Sequence, residues 1–215
     1  MKIITVVSQK GGIGKTTISV SLAGALVQMF PHLKVAVADA DPQGSATVWI
    51  DRSKGALGVS VHTVAADGTG LKLREELAAI DADIVIIDLP PAVALVALRA
   101  AIRADLMLVP TGASIVDLSA TKVAVDLCKE AQEANPAKQY LIVPNRVQHN
   151  TAAGRELRGA LEEWGKVSEA TLTLRVAFQD AARVGLGVTQ YAPGSPAAQE
   201  IGLLAGEVAA LINIS

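Results

Sequence analysis

Residues 10–17 are Lys-Gly-Gly-Ile-Gly-Lys-Thr-Thr, and this stretch decides which fold the rest of the chain is expected to adopt. A phosphate-binding loop usually follows the pattern G-x-x-x-x-G-K-[ST], with one lysine for the phosphates. Here the pattern would begin at Ser8 or Gln9 rather than at a glycine, and a second lysine, Lys10, stands at its front edge. The compact form K-G-G-x-G-K-T-T therefore indicates a phosphate site of an unusual subtype.

The segments on both sides of this loop have the character that a phosphate site needs. Residues 2–7 form an apolar, β-branched run typical of a buried strand, and residues 15–30 have the apolar spacing of a helix. Glycines let the backbone turn its N–H groups towards a phosphate, and a helix N-terminus adds partial positive charge. The expected ligand-binding residues are Gly11, Gly12, Ile13, Gly14, Lys15, Thr16 and Thr17.

Two residues of the loop have specific expected roles. The pattern predicts that Lys15 reaches the β- and γ-phosphates of a nucleotide. It also predicts that the hydroxyl group of Thr16 binds Mg²⁺. The alternative is a glycine-rich turn between a strand and a helix that holds no ligand.

Strand-like and helix-like segments alternate along the chain. Apolar runs predict strands at 2–7, 34–39, 58–62, 83–88, 105–109 and 140–144. Helical spacing predicts helices at 15–30, 44–51, 71–80, 92–103, 117–134, 152–164 and 197–212. The residues around 65–70 are expected to form a turn between two elements. Such alternation favours an α/β fold, a P-loop domain with a mostly parallel sheet and helices on both faces.

The polar segments of the chain follow predicted strands. They are residues 8–16, 39–43, 88–91 and 145–146. Ligands of parallel α/β sheets bind at the carboxyl ends of the strands, so these segments are expected to meet at one edge.

Length and composition agree with one domain that spans residues 1–215. Hydrophobic residues make up 51% of the chain and aromatic residues only 3%, which suits a parallel sheet packed between helices. The net charge of −2 gives no global basic field, so nucleic-acid binding would need a local patch. The lone cysteine, Cys128, cannot form an internal disulfide, which fits a reducing cytosol. No targeting or membrane-spanning segment is expected.

Further segments, together with the loop, resemble the ParA family of partition ATPases, also called the deviant Walker or MinD/ParA group. The matching segments are 38–45 (Ala-Asp-Ala-Asp-Pro-Gln-Gly-Ser), 86–91 (Ile-Ile-Asp-Leu-Pro-Pro), 108–110 (Leu-Val-Pro) and 188–196 (Val-Thr-Gln-Tyr-Ala-Pro-Gly-Ser-Pro). The resemblance covers nearly the whole chain, and the loop with the D-x-D-P-Q segment is its most specific part. It implies ATP and Mg²⁺ as cofactors.

Three aspartates at strand ends are candidate catalytic or metal-binding groups. Asp88 ends the run Ile-Val-Ile-Ile at 84–87, as a Walker B aspartate does, and is expected to hold Mg²⁺ through water. The resemblance implies that Asp41 positions the attacking water and that Asp39 supports the Mg²⁺ site. The alternative for Asp39 and Asp41 is that they cap the helix that starts near Gly44.

The resemblance gives Lys10 its expected role. In the family, this lysine reaches across a dimer interface to the phosphates of the partner subunit, so Lys10, Lys15 and Asp41 are the expected catalytic residues. ATP would then favour the dimer because it contacts both subunits. The alternative is an ordinary exposed lysine on a loop.

The base site is expected at two loops. Asn145 and Arg146 follow a strand, and Asn145 is placed to hydrogen-bond the adenine. By resemblance, Tyr191 and Pro193 would form the other wall, unless both segments are plain loops. The chain lacks the guanine-specific N-K-x-D pattern, which favours ATP over GTP.

The output of the switch is expected to be non-specific DNA binding. Residues 184–215 contain no lysine or arginine, unlike the basic membrane-binding helix of the MinD branch, and one cysteine is too few for a nitrogenase-type cluster. Candidate phosphate contacts are Arg146, Arg155, Arg158, Lys166, Arg175 and Arg183. Arg175 and Arg183 are preferred, although acidic residues between them also suit a salt-bridged surface.

The resemblance implies a slow ATPase that dimerises with ATP, coats the nucleoid in the cytoplasm and is released by a ParB-like activator. The cargo is expected to be a plasmid, a chromosome or a protein organelle such as a carboxysome. No helix-turn-helix precedes residue 1, so operator binding is not expected. A MinD-like membrane regulator and a metabolic ligase of the dethiobiotin synthetase type stay open as alternatives.

Overall fold

The computed structural model describes residues 1–65, 70–91 and 94–214, and within them a parallel sheet forms the centre of the molecule. Its strands follow the order β3-β2-β4-β1-β5-β6-β7. They are β1 (Lys2–Val6), β2 (Val35–Asp39), β3 (Ser60–Thr63), β4 (Ile84–Asp88), β5 (Leu106–Thr111), β6 (Gln139–Val147) and β7 (Leu172–Thr173). The first strand therefore lies between β4 and β5, in the middle of the sheet.

Helices cover both faces of this sheet. They are α1 (Lys15–Met29), α2 (Ser45–Arg52), α3 (Leu71–Ala78), α4 (Ala94–Arg103), α5 (Ile115–Ala134), α6 (Ala152–Glu162), α7 (Val176–Val184), α8 (Val188–Tyr191) and α9 (Pro196–Leu211). The helices α1, α2 and α7–α9 pack on one face, and α3–α6 pack on the other. The predicted fold class, a mostly parallel sheet flanked by helices on both faces, is confirmed.

The alternation of side chains along each strand explains why the core has two parts. Ile4 and Val6 of β1 point into the cluster formed with α1 and α9, whereas Val85 and Ile87 of β4 point into the cluster formed with α4 and α5. Because helices bury both faces, the central strands are continuous apolar runs rather than alternating ones. None of the helices in the described parts of the chain combines the length and apolarity needed to cross a bilayer.

The predicted strands and helices are present, with ends shifted by a few residues. Helix α5 starts at Ile115 rather than at 117, because Ser114 caps it and forms a capping box with Asp117. Three short elements were not predicted: β7, α7 and α8. The expected turn at 65–70 and the first residues of the expected helix at 92–103 fall partly on 66–69 and 92–93, outside the described residues.

The strand register determines which polar residues lie side by side at the carboxyl edge of the sheet. Asp88, the last residue of β4, lies beside Asp39 of β2 and beside Val6 of β1. The loop that leaves β1 and the segments that leave β2 and β4 therefore emerge side by side at the carboxyl edge of the sheet.

Candidate functional site

The loop at residues 8–14 joins β1 to α1 and forms a cradle at the helix N-terminus. Gly14 is the residue before the first helical turn and adopts φ 97°, and Gly12 adopts φ 75°. L-amino acids with side chains rarely adopt such positive φ angles, which explains why glycine stands at both positions. A cavity of about 420 Å³ opens here, lined by Gly11, Gly12, Gly14, Lys15, Thr16, Thr17, Asp41, Ser45, Trp49 and Pro91.

Lys15 supplies the positive charge of this cavity. Its side chain is buried, and its Nζ donates to the backbone oxygen of Lys10 at 3.3 Å. Burial lowers the pKa of Lys15, while the nearby carboxylates of Asp88 and Asp41 act in the opposite direction. An ammonium group with a backbone oxygen as neighbour, facing a cavity lined by glycines, fits an anionic phosphate group well.

Asp88 lies at the floor of the cradle and is completely buried. Its carboxylate accepts hydrogen bonds from the hydroxyl groups of Thr16 at 2.7 Å and Ser19 at 3.0 Å. Burial raises the pKa of Asp88 to about 6, although these two hydrogen bonds favour the ionised form. The hydroxyl of Thr16 and the carboxylate of Asp88 are hard oxygen ligands of the kind that Mg²⁺ prefers, so the residues fit the expected metal.

Ser19 was not among the predicted site residues. It lies one helical turn after Lys15 and Thr16, so it shares their face of α1. Its spacing from Lys15 is therefore the signal in the sequence that points to it. The hydroxyl of Ser19 is the second hydrogen-bond donor that orients the Asp88 carboxylate.

Asp39 and Asp41 differ in what they contact. Asp39 is completely buried and accepts hydrogen bonds from the backbone N–H and the hydroxyl of Thr47, both at 2.8 Å, and from the N–H of Asp41. It therefore ties the first turn of α2 to the end of β2, and its support of a Mg²⁺ site stays a prediction. Asp41 accepts a hydrogen bond from the backbone N–H of Gln43 at 2.9 Å and lines the cavity beside the loop.

Lys10 is turned towards its own chain. Its Nζ donates to the carboxylate of Asp117 in the first turn of α5, and 33% of its side chain is exposed. Burial opposes ionisation of Asp117, but hydrogen bonds from Lys10 and Ser114 outweigh it and lower the pKa of this carboxyl. The two residues face a second cavity of about 360 Å³ at the edge of the site.

Two residues near the carboxyl end of β6, Asn145 and Arg146, donate hydrogen bonds to the phosphate loop. Asn145 is buried and donates from Nδ2 to the backbone oxygen of Ile13 at 2.6 Å. Arg146 adopts φ 55°, which is rare for a residue with a side chain, and donates to the backbone oxygen of Gly12 at 2.6 Å. Both residues therefore lie against the phosphate loop, and the expected hydrogen bond from Asn145 to an adenine stays a prediction.

A third cavity, of about 200 Å³, lies beside Asn145, and we name this candidate base site the base cavity. Its other wall is made by Leu174, Arg175 and Phe178, at and before the start of α7. Tyr191 and Pro193, which were expected to form a wall of the base site, do not line this cavity, and α8 packs against α1 and α9. Their contact with a base stays a prediction.

The two preferred arginines also differ. Arg175 forms an ion pair with Glu200 of α9 at 2.8 Å, so its guanidinium is occupied within the chain and faces the base cavity. Arg183 is 74% exposed, and its nearest carboxylate, Asp180, is 3.9 Å away. Of the two residues, Arg183 is the one whose charge is available to another molecule.

Comparison with known proteins places the chain among named relatives. It is 30% identical over 208 residues to Maintenance of carboxysome distribution protein A of Halothiobacillus neapolitanus, a match that covers 95% of each chain. It is 28% identical over 241 aligned positions to the chromosome-partitioning ATPase Soj of Thermus thermophilus, covering 98% of this chain and 96% of that protein.

A solved structure supports the fold, and a family model confirms the predicted resemblance. The complex of Cyanothece McdA(D38A) with ATP matches with a TM-score of 0.78 at 19% identity, covering 100% of this chain and 97% of that one. The model of the CobQ/CobB/MinD/ParA nucleotide binding domain matches residues 4–185. The chain therefore belongs to the CobQ/CobB/MinD/ParA family of nucleotide-binding domains, and within it to the ParA/MinD type.

Proposed function

We propose that this protein is an ATP-driven switch that dimerises around bound nucleotide, binds DNA without sequence preference and positions a cargo in the cell. The observation that carries the proposal is the pair of lysines in one loop. Lys15 is buried in the phosphate cradle, whereas Lys10 stands at the edge of the site, where it can leave Asp117. A nucleotide site within one subunit needs only Lys15. Lys10 would serve a site in which two subunits meet at the nucleotide.

The residues of the cradle have separate roles when Mg²⁺-ATP is bound. ATP would supply the phosphoryl group, and Mg²⁺ would supply positive charge that neutralises the phosphates. Lys15 and the backbone N–H groups of the glycine loop bind the phosphates. Thr16 and Asp88 provide oxygens for the metal, and Ser19 keeps the Asp88 carboxylate oriented. Asp41 positions the attacking water at the open side of the cavity. Positioning and charge neutralisation by these groups give slow hydrolysis that a partner protein can accelerate.

DNA binding rests on local charge. The whole chain carries a net charge of −2, so a DNA surface must come from a few free cations. Arg183, in the last turn of α7, is such a cation because its ion pair with Asp180 is long and exposed. Dimerisation doubles the number of phosphate contacts and therefore makes DNA binding depend steeply on ATP.

The cargo is proposed from the relatives. The protein of Halothiobacillus neapolitanus, named for maintenance of carboxysome distribution, matches over nearly the full length of both chains. We therefore favour a protein organelle as the cargo over a chromosome, which the more distant match to Soj would suggest. Under this proposal the protein works in the cytoplasm on the nucleoid, and a cargo-bound activator releases it.

The experiment is a salt titration of DNA binding by the wild type and the Arg183→Glu variant, with ATP and two unrelated duplexes. Removing one phosphate contact should flatten the log–log salt dependence by about 0.9, or by about 1.8 for a dimer. Arg103→Glu is the matched control, because Arg103 also lies exposed in the last turn of a helix. An unchanged slope for Arg183→Glu places the DNA surface elsewhere. A wild type that binds a fluorescent ATP analogue but no DNA at low salt overturns the DNA part alone.

A further inference from the structure

Two carboxylates of α9 hold the outer edge of the sheet at β7. Glu200 and Glu207 are separated by about two helical turns, so they lie on one face of α9. Glu207 accepts hydrogen bonds from the hydroxyl of Ser168 and, at 2.6 Å, from the N–H of Glu169. Among the described strands β7 is the last of the sheet, so N–H groups that it turns outward have no further strand to pair with. The side chains of α9 therefore take the place of that strand.

Glu200 holds the two residues on either side of Leu174. Its Oε2 accepts a hydrogen bond from the N–H of Thr173 at 3.0 Å, and its Oε1 accepts from the hydroxyl of Thr173 at 2.9 Å. The same Oε1 accepts from Nε of Arg175 at 3.1 Å and from Nη2 at 2.8 Å. The Glu200 side chain is 16% exposed, so water competes weakly for these bonds. Hydrogen bonds that carry charge on both partners are stronger than neutral ones, so Glu200 is a firm anchor for this segment.

The segment that Glu200 anchors is a wall of the base cavity. Thr173, Leu174 and Arg175 line that cavity, whereas Glu200 lies behind them and does not line it. The sheet itself holds this wall loosely, because β7 has two residues and its pairing with β6 shifts register between Asn145 and Val147. The position of the wall therefore depends on the hydrogen bonds to Glu200, which makes Glu200 a positioning residue rather than a contact residue.

The charge of Arg175 bears on which base the cavity accepts. A free guanidinium pairs through two N–H groups with O6 and N7 of guanine, whereas adenine presents an amino group in the place of O6. An unpaired guanidinium at the cavity would therefore favour guanine and face the adenine amino group donor to donor. The ion pair with Glu200 engages Nε and Nη2 of Arg175 and neutralises its charge. This pairing removes the advantage that guanine would have.

We propose that Glu200 determines base specificity from outside the base cavity: it orients Arg175 and the wall at 173–175 so that the cavity accepts adenine in preference to guanine. This role rests on the nucleotide-binding part of the proposed function and on the base lying in the base cavity. It does not depend on dimerisation or on DNA binding.

The test compares the binding of ADP, GDP and inorganic pyrophosphate, each with Mg²⁺, by calorimetry. These ligands lack the γ-phosphate, so the constants report on the site of one subunit. The variants are Glu200→Ala and Glu200→Gln, and the glutamine keeps the size of the side chain and one oxygen acceptor while it removes the charge. We expect the preference for ADP over GDP to fall at least about tenfold in both variants, while the affinity for pyrophosphate changes by less than about twofold.

Glu207→Ala is the matched control. It removes a carboxylate from the same face of α9 that also accepts from a backbone N–H, but its partners Ser168 and Glu169 do not line the base cavity. Its preference for ADP should equal that of the wild type. If Glu207→Ala loses the preference as well, general loosening of the sheet edge is the cause and the specific role of Glu200 is wrong.

A second comparison tests the route through Arg175. In an Arg175→Ala background, Glu200→Gln should change the preference for ADP by less than about twofold, because the residue through which it acts is gone. Additive effects of the two substitutions would exclude this route. An unchanged preference in a folded Glu200 variant, or a wild type that binds GDP as tightly as ADP, overturns the proposal. A wild type with the expected preference that neither dimerises nor binds DNA with ATP contradicts the proposed function and leaves the role of Glu200 supported.

Discussion

The ion pair between Lys10 and Asp117 makes a quantitative prediction about dimerisation. If Lys10 must leave Asp117 to reach the nucleotide of a partner subunit, then Asp117→Asn should favour the ATP-dependent dimer. The side chains of Lys10 and Asp117 are 33% and 14% exposed, so the pair is partly screened by solvent. We assign it about 0.5–1 kcal/mol. Both subunits lose the pair, so the gain is about 1–2 kcal/mol, or roughly 5- to 30-fold in the dimer dissociation constant.

Asparagine is the right substitution because it keeps an oxygen for Ser114. The N–H and hydroxyl of Ser114 both donate to one carboxylate oxygen of Asp117, so the capping of α5 survives the change. Sedimentation velocity with a non-hydrolysable ATP analogue measures the constant over a range of protein concentrations. Asp126→Asn is the control, since it removes a carboxylate from the same helix. A dimer constant that is unchanged, or weakened, in Asp117→Asn refutes the idea that this ion pair restrains Lys10.

Four further substitutions test individual site residues. Lys15→Ala should lower ATP affinity by at least about 100-fold in calorimetry, because the ammonium group makes a charge-assisted hydrogen bond to phosphate of about 3 kcal/mol; near-normal affinity would exclude it from the cradle. Asp41→Ala should still bind ATP and dimerise but release phosphate at least about tenfold more slowly, as expected for loss of a water-positioning group; undiminished turnover would remove Asp41 from catalysis. Asp39→Ala should lower the free energy of unfolding by about 1–3 kcal/mol in urea, because the partly buried N–H and hydroxyl of Thr47 lose their acceptor; an unchanged midpoint with altered Mg²⁺ dependence would contradict this structural role and support a metal role. Phe178→Ala should weaken ATP binding without affecting inorganic phosphate, since it removes a wall of the base cavity; equal loss for both ligands would contradict that placement.

The central strands were predictable because of how they are buried. A parallel strand between two helical layers must be apolar on both faces, so β1 and β4 appear as continuous hydrophobic runs. The strand β7 has only two residues, Leu172 and Thr173, and such a short strand leaves no periodic pattern. Helix α7 has only nine residues, which is shorter than the window over which helical periodicity is recognised.

The site was predictable where one short segment supplies the chemistry. The roles of Lys15 and Thr16 follow from the loop itself. Asp39 stands at a strand end that suits either a metal ligand or a helix cap, and its 2.8 Å hydrogen bonds to Thr47 join residues eight positions apart, which no local pattern predicts. The ion pair between Lys10 and Asp117 joins residues that are far apart in the sequence, so no local sequence pattern predicts it.

The close approach between the phosphate loop and the strand exit at Asn145 restricts how this protein can change by mutation. A Cβ atom added at Gly14 would lie 2.6 Å from Nδ2 of Asn145, and this is the same nitrogen that donates to Ile13. Any side chain at position 14 would push the amide away and break that bond. A side chain at position 14 would therefore need a smaller residue at 145 and would still have to adopt φ 97°, and substitutions at the two positions should be strongly non-additive.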